Sequence, residues 1–144
     1  MRKLVLESFL PYRLNRIGTL ISQEFRKVYG PNHDLTIPEW RVLATLGQFE
    51  EMTAKDIGIH SSMHKTKVSR AVRSLEERRW LKRQTSLDDR REEILSLTAQ
   101  GRRSYADMVP RALEFENRIL RMLGPDIARF LETIERLERE LESS

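Results

Sequence analysis

Two short helices joined by a tight turn are the feature that most constrains how this chain folds. The first begins in EMTAKDIGIHSS, where Thr53 is followed three residues later by Asp56, as at a capped helix start. Ala54, Ile57 and Ile59 suit a helix of about two turns. The serines that follow mark a turn, and a second helix starts directly after it.

The second helix of the pair carries a basic face. In HKTKVSRAVRSLEERRW, Val68, Val72 and Leu75 fall on one side and predict its buried face. The other side is polar from the first turn, which is the part of a recognition helix that enters the DNA major groove. An ordinary solvated helix face is the alternative for any one of these residues. We predict base and phosphate contacts from Lys65, Thr66, Lys67, Ser69, Arg70 and Arg73.

The only strand-like segments follow at once. WLKRQT and EEILSLT flank SLDDRRE, which predicts a β-hairpin with a charged tip. Two helices followed by such a hairpin make a winged helix, whose wing can place an arginine in the minor groove. We expect Arg90, Arg91 or both to do so, with Asp89 holding an arginine by a charge-assisted hydrogen bond.

Longer helices flank this module. Apolar residues at three- and four-residue steps predict an amphipathic helix over residues 8–29, ended by the breaker GPN. Thr36, Pro38 and Glu39 predict a capped helix start before the module. After the hairpin, Thr98 caps a long helix with Pro110 as a kink, and LGPD separates it from a final helix with a near-heptad apolar stripe.

The predicted fold is therefore mainly α, a winged helix-turn-helix with a small β-hairpin wing and N- and C-terminal dimerisation helices. It is a single domain over residues 1–144, with the DNA-binding lobe at about 36–98 and the outer helices at about 8–34 and 99–142. The outer helices carry more apolar surface than the small lobe can cover. We expect a second copy of the chain to cover it, with a compact monomer as the alternative.

The charge distribution and the composition restrict the classes of function that this chain can have. Residues 65–91 hold ten Lys and Arg against four Asp and Glu, whereas the whole chain is only +4. Such a local excess is the footprint of a polyanion-binding face. The lack of cysteine excludes disulfides and thiol redox sensing. No apolar run approaches the roughly 18 residues of a membrane span, and no signal peptide is evident, so we expect a cytoplasmic protein.

Two rival functions remain open. The wing carboxylates Asp88, Asp89, Glu92 and Glu93 suggest a metal-dependent nuclease, but the two arginines between them oppose a bound cation. A winged-helix protein-interaction module with no role in DNA binding is the second rival. The chain has no Ser-His-Asp spacing, phosphate-cradling glycine loop or HExxH motif, so we predict no enzymatic activity, no cofactor and no metal.

Three segments of the chain, in their order and spacing, resemble the MarR-type winged-helix transcriptional regulators, and the resemblance covers roughly residues 8–141. The segments are LTIPEWRVLATL, TKVSRAVRSLEERRWL and DDRREEILSLTAQG. The resemblance implies a dimeric bacterial repressor or activator on a pseudo-palindromic operator in double-stranded DNA. We predict a repressor that a small aromatic or phenolic acid releases. In the family, the wing aspartate supports the arginine two residues on, which here matches Asp89 and Arg91.

The resemblance also implies an effector pocket between the dimer helices and the DNA-binding lobe. An arginine there can hold a ligand carboxylate, and a tryptophan can stack on its ring. The alternative is that the tryptophan is core and the arginines are surface residues. The candidate ligand contacts are Arg13, Arg16, Trp40 and Met108.

The chain departs from the family pattern at both ends of the recognition helix. Arg79 stands where the family usually has a glycine that ends the helix, so it must adopt a left-handed backbone or end the helix differently. His64 stands at the helix start, where the positive end of the helix dipole disfavours a cation. A pH-sensitive docking geometry is the consequence that we predict.

Overall fold

The computed structural model describes residues 1–29 and 33–144 in side-chain detail. The helices are α1 (Leu10–His33), α2 (Ile37–Phe49), α3 (Ala54–Ser61), α4 (Lys65–Glu77), α5 (Ala99–Arg121) and α6 (Ile127–Glu142). The strands are β1 (Glu51–Thr53), β2 (Leu81–Thr85) and β3 (Glu93–Leu97). The chain thus has the mainly helical winged-helix fold that the sequence predicts.

Side-chain caps set the helix starts where the sequence predicts them. Thr36 accepts a hydrogen bond from the Glu39 amide at 3.3 Å, and the Glu39 carboxylate accepts one from the Thr36 amide at 3.1 Å. Thr53 accepts from the amide of Asp56 at 3.2 Å and begins α3. Thr98 likewise begins α5. Each cap satisfies a backbone donor that has no partner within its helix.

The end of α1 differs from the predicted one. The predicted break at residues 30–32 lies outside the residues described in side-chain detail, and α1 as a whole is bounded by Leu10 and His33. The turn to α2 follows at Asp34, whose φ of 50° is left-handed. Aspartate tolerates that backbone better than most residues because its short side chain can bond locally.

The sheet has one strand more than the sequence predicts. The strands run antiparallel in the order β1-β3-β2, so the predicted hairpin of β2 and β3 is extended by β1. Met52 of β1 lies opposite Leu95 of β3. β1 has only three residues and no strand-like periodicity, so its conformation comes from pairing with the free edge of β3.

A glycine lets α5 start close to the end of the recognition helix. A Cβ at Gly101 would lie 2.1 Å from the carbonyl oxygen of Trp80, so no other residue fits without a shift. The Thr98 amide donates to that same oxygen at 2.9 Å. The motif LTAQG therefore fixes how α5 leaves the sheet.

The core lies in the lobe and against α5. Leu43, Ile57 and Leu75 are fully buried there, whereas α6 and the 3-10 turn at Leu6–Ser8 bury no side chain. Among the described residues, no helix is long and apolar enough to cross a membrane. The apolar face of the outer helices is open in the single chain, with Leu10, Leu14, Ile17, Leu20, Phe130, Leu131 and Leu141 all exposed.

Candidate nucleic-acid interface

The basic face of α4 divides into a centre and two flanks. Val68, Ala71, Val72 and Leu75 are buried, and all six predicted contact residues are exposed. At about 100° per residue, Thr66, Arg70 and Arg73 lie opposite the buried side. One flank, beside α3, holds Lys65 and Ser69, which share a groove with Ile59. The other flank, beside α2, holds Lys67.

The cationic side chains of this face differ in whether they form an ion pair with a carboxylate. Arg73 pairs with Glu77 at 3.4 Å, one helical turn on. Lys65, Lys67 and Arg70 have no carboxylate within 4.0 Å among the residues described in side-chain detail. Their full positive charge is therefore available to an external anion, and Arg70 is the one nearest the centre of the face.

His64 caps the recognition helix with its side chain. Its Nδ1 accepts a hydrogen bond from the Thr66 amide at 3.2 Å, which requires Nδ1 to carry no proton. The imidazole thus accepts the capping hydrogen bond that a Ser or Asp side chain accepts at other helix starts. The predicted pH sensitivity of docking stays a prediction.

At the other end of α4, Arg79 adopts a left-handed backbone and the helix ends there. Its φ of 64° is left-handed, so the arginine occupies the backbone conformation that usually selects glycine. The Arg79 amide donates to the Glu76 carbonyl at 2.9 Å, and the Trp80 amide donates to the Leu75 carbonyl at 3.0 Å. This is a Schellman motif, whose usual apolar contact is made here by buried Leu75 and Trp80.

A buried carboxylate anchors α4 to α2. Ser74 donates to Glu39 at 2.8 Å, and the Arg78 guanidinium lies 3.7 Å from the same carboxylate. Burial opposes ionisation of Glu39, but hydrogen bonds from Thr36 and Ser74, with the charge of Arg78, outweigh it and lower the pKa of the carboxyl. The Glu39 carboxylate, favoured in its ionised form, therefore links α2 to the recognition helix.

Arg78 extends that anchor to α1. Its guanidinium donates to the backbone carbonyls of His33 and Asp34. Carbonyls at the C-terminal end of a helix attract cations, because they carry the negative end of the helix dipole. One side chain therefore links the end of the outer helix α1 to the end of the recognition helix.

The base of the wing is fixed to the same helix. Arg83 of β2 donates to Glu76 of α4 and to Glu93 of β3, both at 2.9 Å. The hydrogen bond with Glu93 raises the pKa of the Arg83 guanidinium; burial opposes this rise, and the contact with Glu76 adds to it. Because the arginine joins both elements, wing and recognition helix share one orientation.

The tip of the wing is a hydrogen-bonded turn. Ser86 accepts from the amides of Asp88 and Asp89 at 3.3 and 3.4 Å. The Asp89 carboxylate accepts from the backbone amide of Arg91 at 3.0 Å, so the expected contact is made with the main chain of the arginine and not with its guanidinium. Arg90 and Arg91 are exposed and have no carboxylate within 4.0 Å among the described side chains.

The wing carboxylates do not converge. Asp89 is occupied by a backbone amide, and Glu93 by Arg83. Within the described part of the chain, no three His, Asp or Glu side chains come together as a metal site would require. The arrangement thus presents cations outward and keeps its acids in supporting contacts.

The four predicted effector contacts do not meet in one pocket. Arg13 and Arg16 line a shallow cavity on the first half of α1 with Tyr12. Met108 is a core residue, 1% exposed. Trp40 lines a different cavity, between α1, α2 and α5.

That second space, the aromatic cavity, has a volume of about 360 Å³ and is lined by Phe25, Tyr29, Trp40 and Phe115, with Arg41 beside them. The ring of Phe25 lies 5.0 Å from those of both Trp40 and Phe115. Of these residues, only Trp40 is among the ligand contacts predicted from the sequence. The i, i+4 spacing of Phe25 and Tyr29 on α1 was the only local signal.

Comparison with known proteins agrees with this geometry. The model of the MarR family matches residues 35–92, which span the recognition helix and the wing. An uncharacterised HTH-type transcriptional regulator of Bacillus subtilis (strain 168), YwoH, is 28% identical over 111 residues, covering 77% of this chain and 80% of its own.

Solved structures extend the likeness to the outer helices. A MarR family transcriptional regulator from Silicibacter pomeroyi is 28% identical, with a TM-score of 0.79 over 96% of this chain and 90% of that one. BpsR of Bordetella bronchiseptica, whose DNA binding is regulated by 6-hydroxynicotinic acid, shares the fold at 21% identity, with a TM-score of 0.81 over 99% of both chains. With its basic recognition helix and wing, the chain is thus similar to the MarR family of DNA-binding transcriptional regulators, in sequence over residues 35–92 and in fold over nearly its whole length.

Proposed function

We propose that the protein is a homodimeric, sequence-specific repressor of transcription that an aromatic or phenolic acid releases from its operator. The observation that carries this proposal is a pair of cationic sites, Arg70 at the centre of α4 and Arg90 with Arg91 at the wing tip. None of these arginines has a carboxylate within 4.0 Å among the described side chains, and Arg83 joins the two elements that carry them. On this proposal, residues 1–144 act as a single domain in the cytoplasm, where chromosomal DNA is reached.

Each subunit would read one half of a pseudo-palindromic site. Thr66, Arg70 and Arg73 would enter a major groove, with Lys65, Lys67 and Ser69 contacting its edges and phosphates. Arg90 and Arg91 would lie in the flanking minor groove, and Asp89 would shape the turn that presents them. Two such subunits place half-sites about 10 base pairs apart.

The proposed dimer rests on the exposed apolar face of the outer helices. Ile17 and Leu20 of α1 and Phe130 and Leu131 of α6 are each 44–49% exposed in the single chain. Apolar surface on this scale, contributed by both ends of the chain, is typical of an interface rather than of a solvated helix. A two-fold dimer would also give the two recognition helices the symmetry of a pseudo-palindrome.

The aromatic cavity is the site that we propose for the effector. The Tyr29 side chain is 1% exposed and its hydroxyl has no hydrogen-bond partner among the described residues, so it is free to donate to a ligand. Burial raises the pKa of Tyr29 to about 12, which keeps that proton in place at neutral pH. Arg41 can hold a carboxylate, and Trp40 can stack on the ring. The regulation of BpsR by 6-hydroxynicotinic acid is consistent with such a ligand. Arg13, Arg16 and Met108 remain predicted contacts.

DNA binding is tested by mobility shift on fragments that flank the gene, at two salt concentrations. Arg91→Ala and Arg70→Ala are each expected to weaken specific binding about tenfold. Lys27→Ala is the matched control, since it removes a charge that Glu24 already neutralises on α1. Specific binding that survives both arginine substitutions would contradict the proposal. Failure to bind any flanking fragment, followed by failure of a random-sequence selection, would also do so.

Effector binding is tested by calorimetry with 4-hydroxybenzoate as the probe. Arg41→Met should weaken binding about tenfold by removing the carboxylate partner, and Tyr29→Phe should weaken it by less. Arg16→Met serves as the control that compares the other cavity on α1. Equal affinities in the wild type and Arg41→Met would exclude the aromatic cavity as the site.

A further inference from the structure

A second cavity adjoins the aromatic one and reaches the recognition helix. This polar cleft lies between α1, α2 and the turn before α4, and its volume is about 560 Å³. The two cavities share Ser22, Ile37 and Arg41 in their linings. At its far side the polar cleft is lined by Met63 and Lys67. A ligand in the aromatic cavity is therefore next to a path that leads to α4.

The polar cleft is cationic. Arg41 of α2 and Lys67 of α4 line it from different elements, and neither has a carboxylate within 4.0 Å among the described side chains. No Asp or Glu belongs to its described lining. Two unpaired cations in a concave site concentrate the positive potential and attract an anion. Further polar groups come from Asn15, Thr19, Ser22, Ser62 and His64.

The floor of the polar cleft is open. Gly18 of α1 lines it, and a Cβ added there would meet no atom within 4 Å. Arg41 lies at the boundary between the two cavities, and among the described residues its guanidinium makes a single, long hydrogen bond of 3.4 Å, to Ser22. A guanidinium has five donors, so Arg41 has capacity for one anion on either side.

We propose that the polar cleft binds a second anionic group, carried by the same effector whose ring occupies the aromatic cavity. This inference rests on the proposed effector pocket and names its ligand class, an aromatic acid extended by a further carboxylate or phosphate. Pairing of that group with Lys67 withdraws the ammonium from DNA phosphate. The effector then acts on the recognition helix directly, in addition to any change in dimer geometry.

The experiment uses 4-hydroxybenzoate and 2-O-alkyl ethers of 2,4-dihydroxybenzoate that end in a carboxylate after one to five methylene groups, because a chain beside the ring carboxylate leaves on the Arg41 side and keeps the 4-hydroxyl. Calorimetry with the full-length protein should show an affinity gain of about tenfold at the chain lengths that reach Lys67. Lys67→Met should remove this gain and leave the affinity for 4-hydroxybenzoate unchanged. Lys65→Met is the matched control on the other flank of α4 and should retain the gain. A phosphate-ended ether of the best length then distinguishes phosphate from carboxylate.

The salt dependence of operator binding reports whether Lys67 still contacts DNA phosphate, which ligand affinity alone does not report. A saturating extended ether should reduce the slope of log affinity against log salt by about one in the wild type, as loss of one phosphate contact predicts. It should leave the slope of Lys67→Met unchanged. Two results would overturn the inference. One is a gain in ether affinity that persists in Lys67→Met, and the other is a salt slope of the wild type that the ether does not change.

The outcomes separate the two proposals. If 4-hydroxybenzoate binds and no ether binds more tightly, the polar cleft has no anion site and the aromatic cavity stands. If neither binds, both ligand proposals fail, while the mobility shift decides DNA binding independently.

Discussion

The lobe of the recognition helix and wing differs from the outer helices in where its apolar side chains go. In the lobe, Leu43, Leu75 and Leu95 are 0–1% exposed. In the first half of α1 and in α6, no side chain is buried at all. The lobe thus buries its apolar side chains within one chain, whereas those of the first half of α1 and of α6 remain exposed in the single chain. We infer that the lobe sets DNA recognition, and that the outer helices set the spacing of two lobes.

The first test truncates the lobe core. Leu43→Ala removes a side chain of 0% exposure and should lower the free energy of unfolding by about 3 kcal/mol, through lost transfer energy and a cavity. Urea denaturation measures it, and the loss should be the same at low and high protein concentration. The control, Leu87→Ala at the fully exposed wing tip, should change stability by less than about 0.5 kcal/mol.

The second test charges the outer face. Ile17→Asp should convert the proposed dimer to a monomer, because it buries a carboxylate in an apolar interface. Light scattering measures the mass, and operator affinity should fall about 100-fold as bivalent binding is lost. The exposed Gln23→Asp, off the apolar stripe of α1, is the matched control. A monomeric wild type would remove the contrast between the two regions.

The third test concerns the anchor that joins the regions. Glu39→Gln should cost about 1–3 kcal/mol at pH 7, because it weakens the contacts with Ser74 and Arg78. The folded pKa of Glu39 lies below its ordinary 4.5, so its stabilising contribution is full above that pH and is lost as pH falls through the folded pKa. Urea denaturation at pH 7 and pH 4 should show the difference from wild type shrinking on acidification. The exposed Glu51→Gln should show no such change, and a constant difference for Glu39→Gln would contradict the assignment.

The smallest effect is expected at the end of the recognition helix. Arg79→Gly should stabilise the protein by about 0.5–1 kcal/mol, since glycine adopts a left-handed backbone without a Cβ clash. Thermal unfolding measures it. Arg103→Gly, in the regular helix α5, is the opposite control and should destabilise by about 1 kcal/mol. Destabilisation by Arg79→Gly would instead mean that the arginine side chain makes a contact worth more than the backbone strain.

Most of the fold can be predicted from the sequence because the helix caps and the apolar periodicities are local signals. Thr36, Thr53 and Thr98 each mark a helix start through a bond to an amide three residues on, so the signal lies within four residues. β1 was missed for the opposite reason. Its strand character comes from pairing with β3, more than 40 residues away.

The candidate site was predicted unevenly. The exposed residues of α4 and the wing arginines follow from helical periodicity and from the position of a hairpin tip. The contacts that we propose for an effector do not, because the aromatic cavity is made by side chains from α1, α2 and α5 that no sequence spacing relates. The predicted contact Met108 is 1% exposed and stays a prediction, and Arg41 was not predicted although it lines both cavities.

The sequence by itself determined the order of the six helices and the wing hairpin, the capped helix starts and the concentration of positive charge in residues 65–91, because each depends on neighbours within a few residues. Only the tertiary structure decided which of those cationic side chains pair with a carboxylate. Arg78 and Arg83 are held by Glu39, Glu76 and Glu93, which come from three different elements, whereas Lys67 and Arg70 are not. Whether a cation is neutralised depends on distances that folding creates between remote parts of the chain. Identical residue types therefore have different roles in this protein.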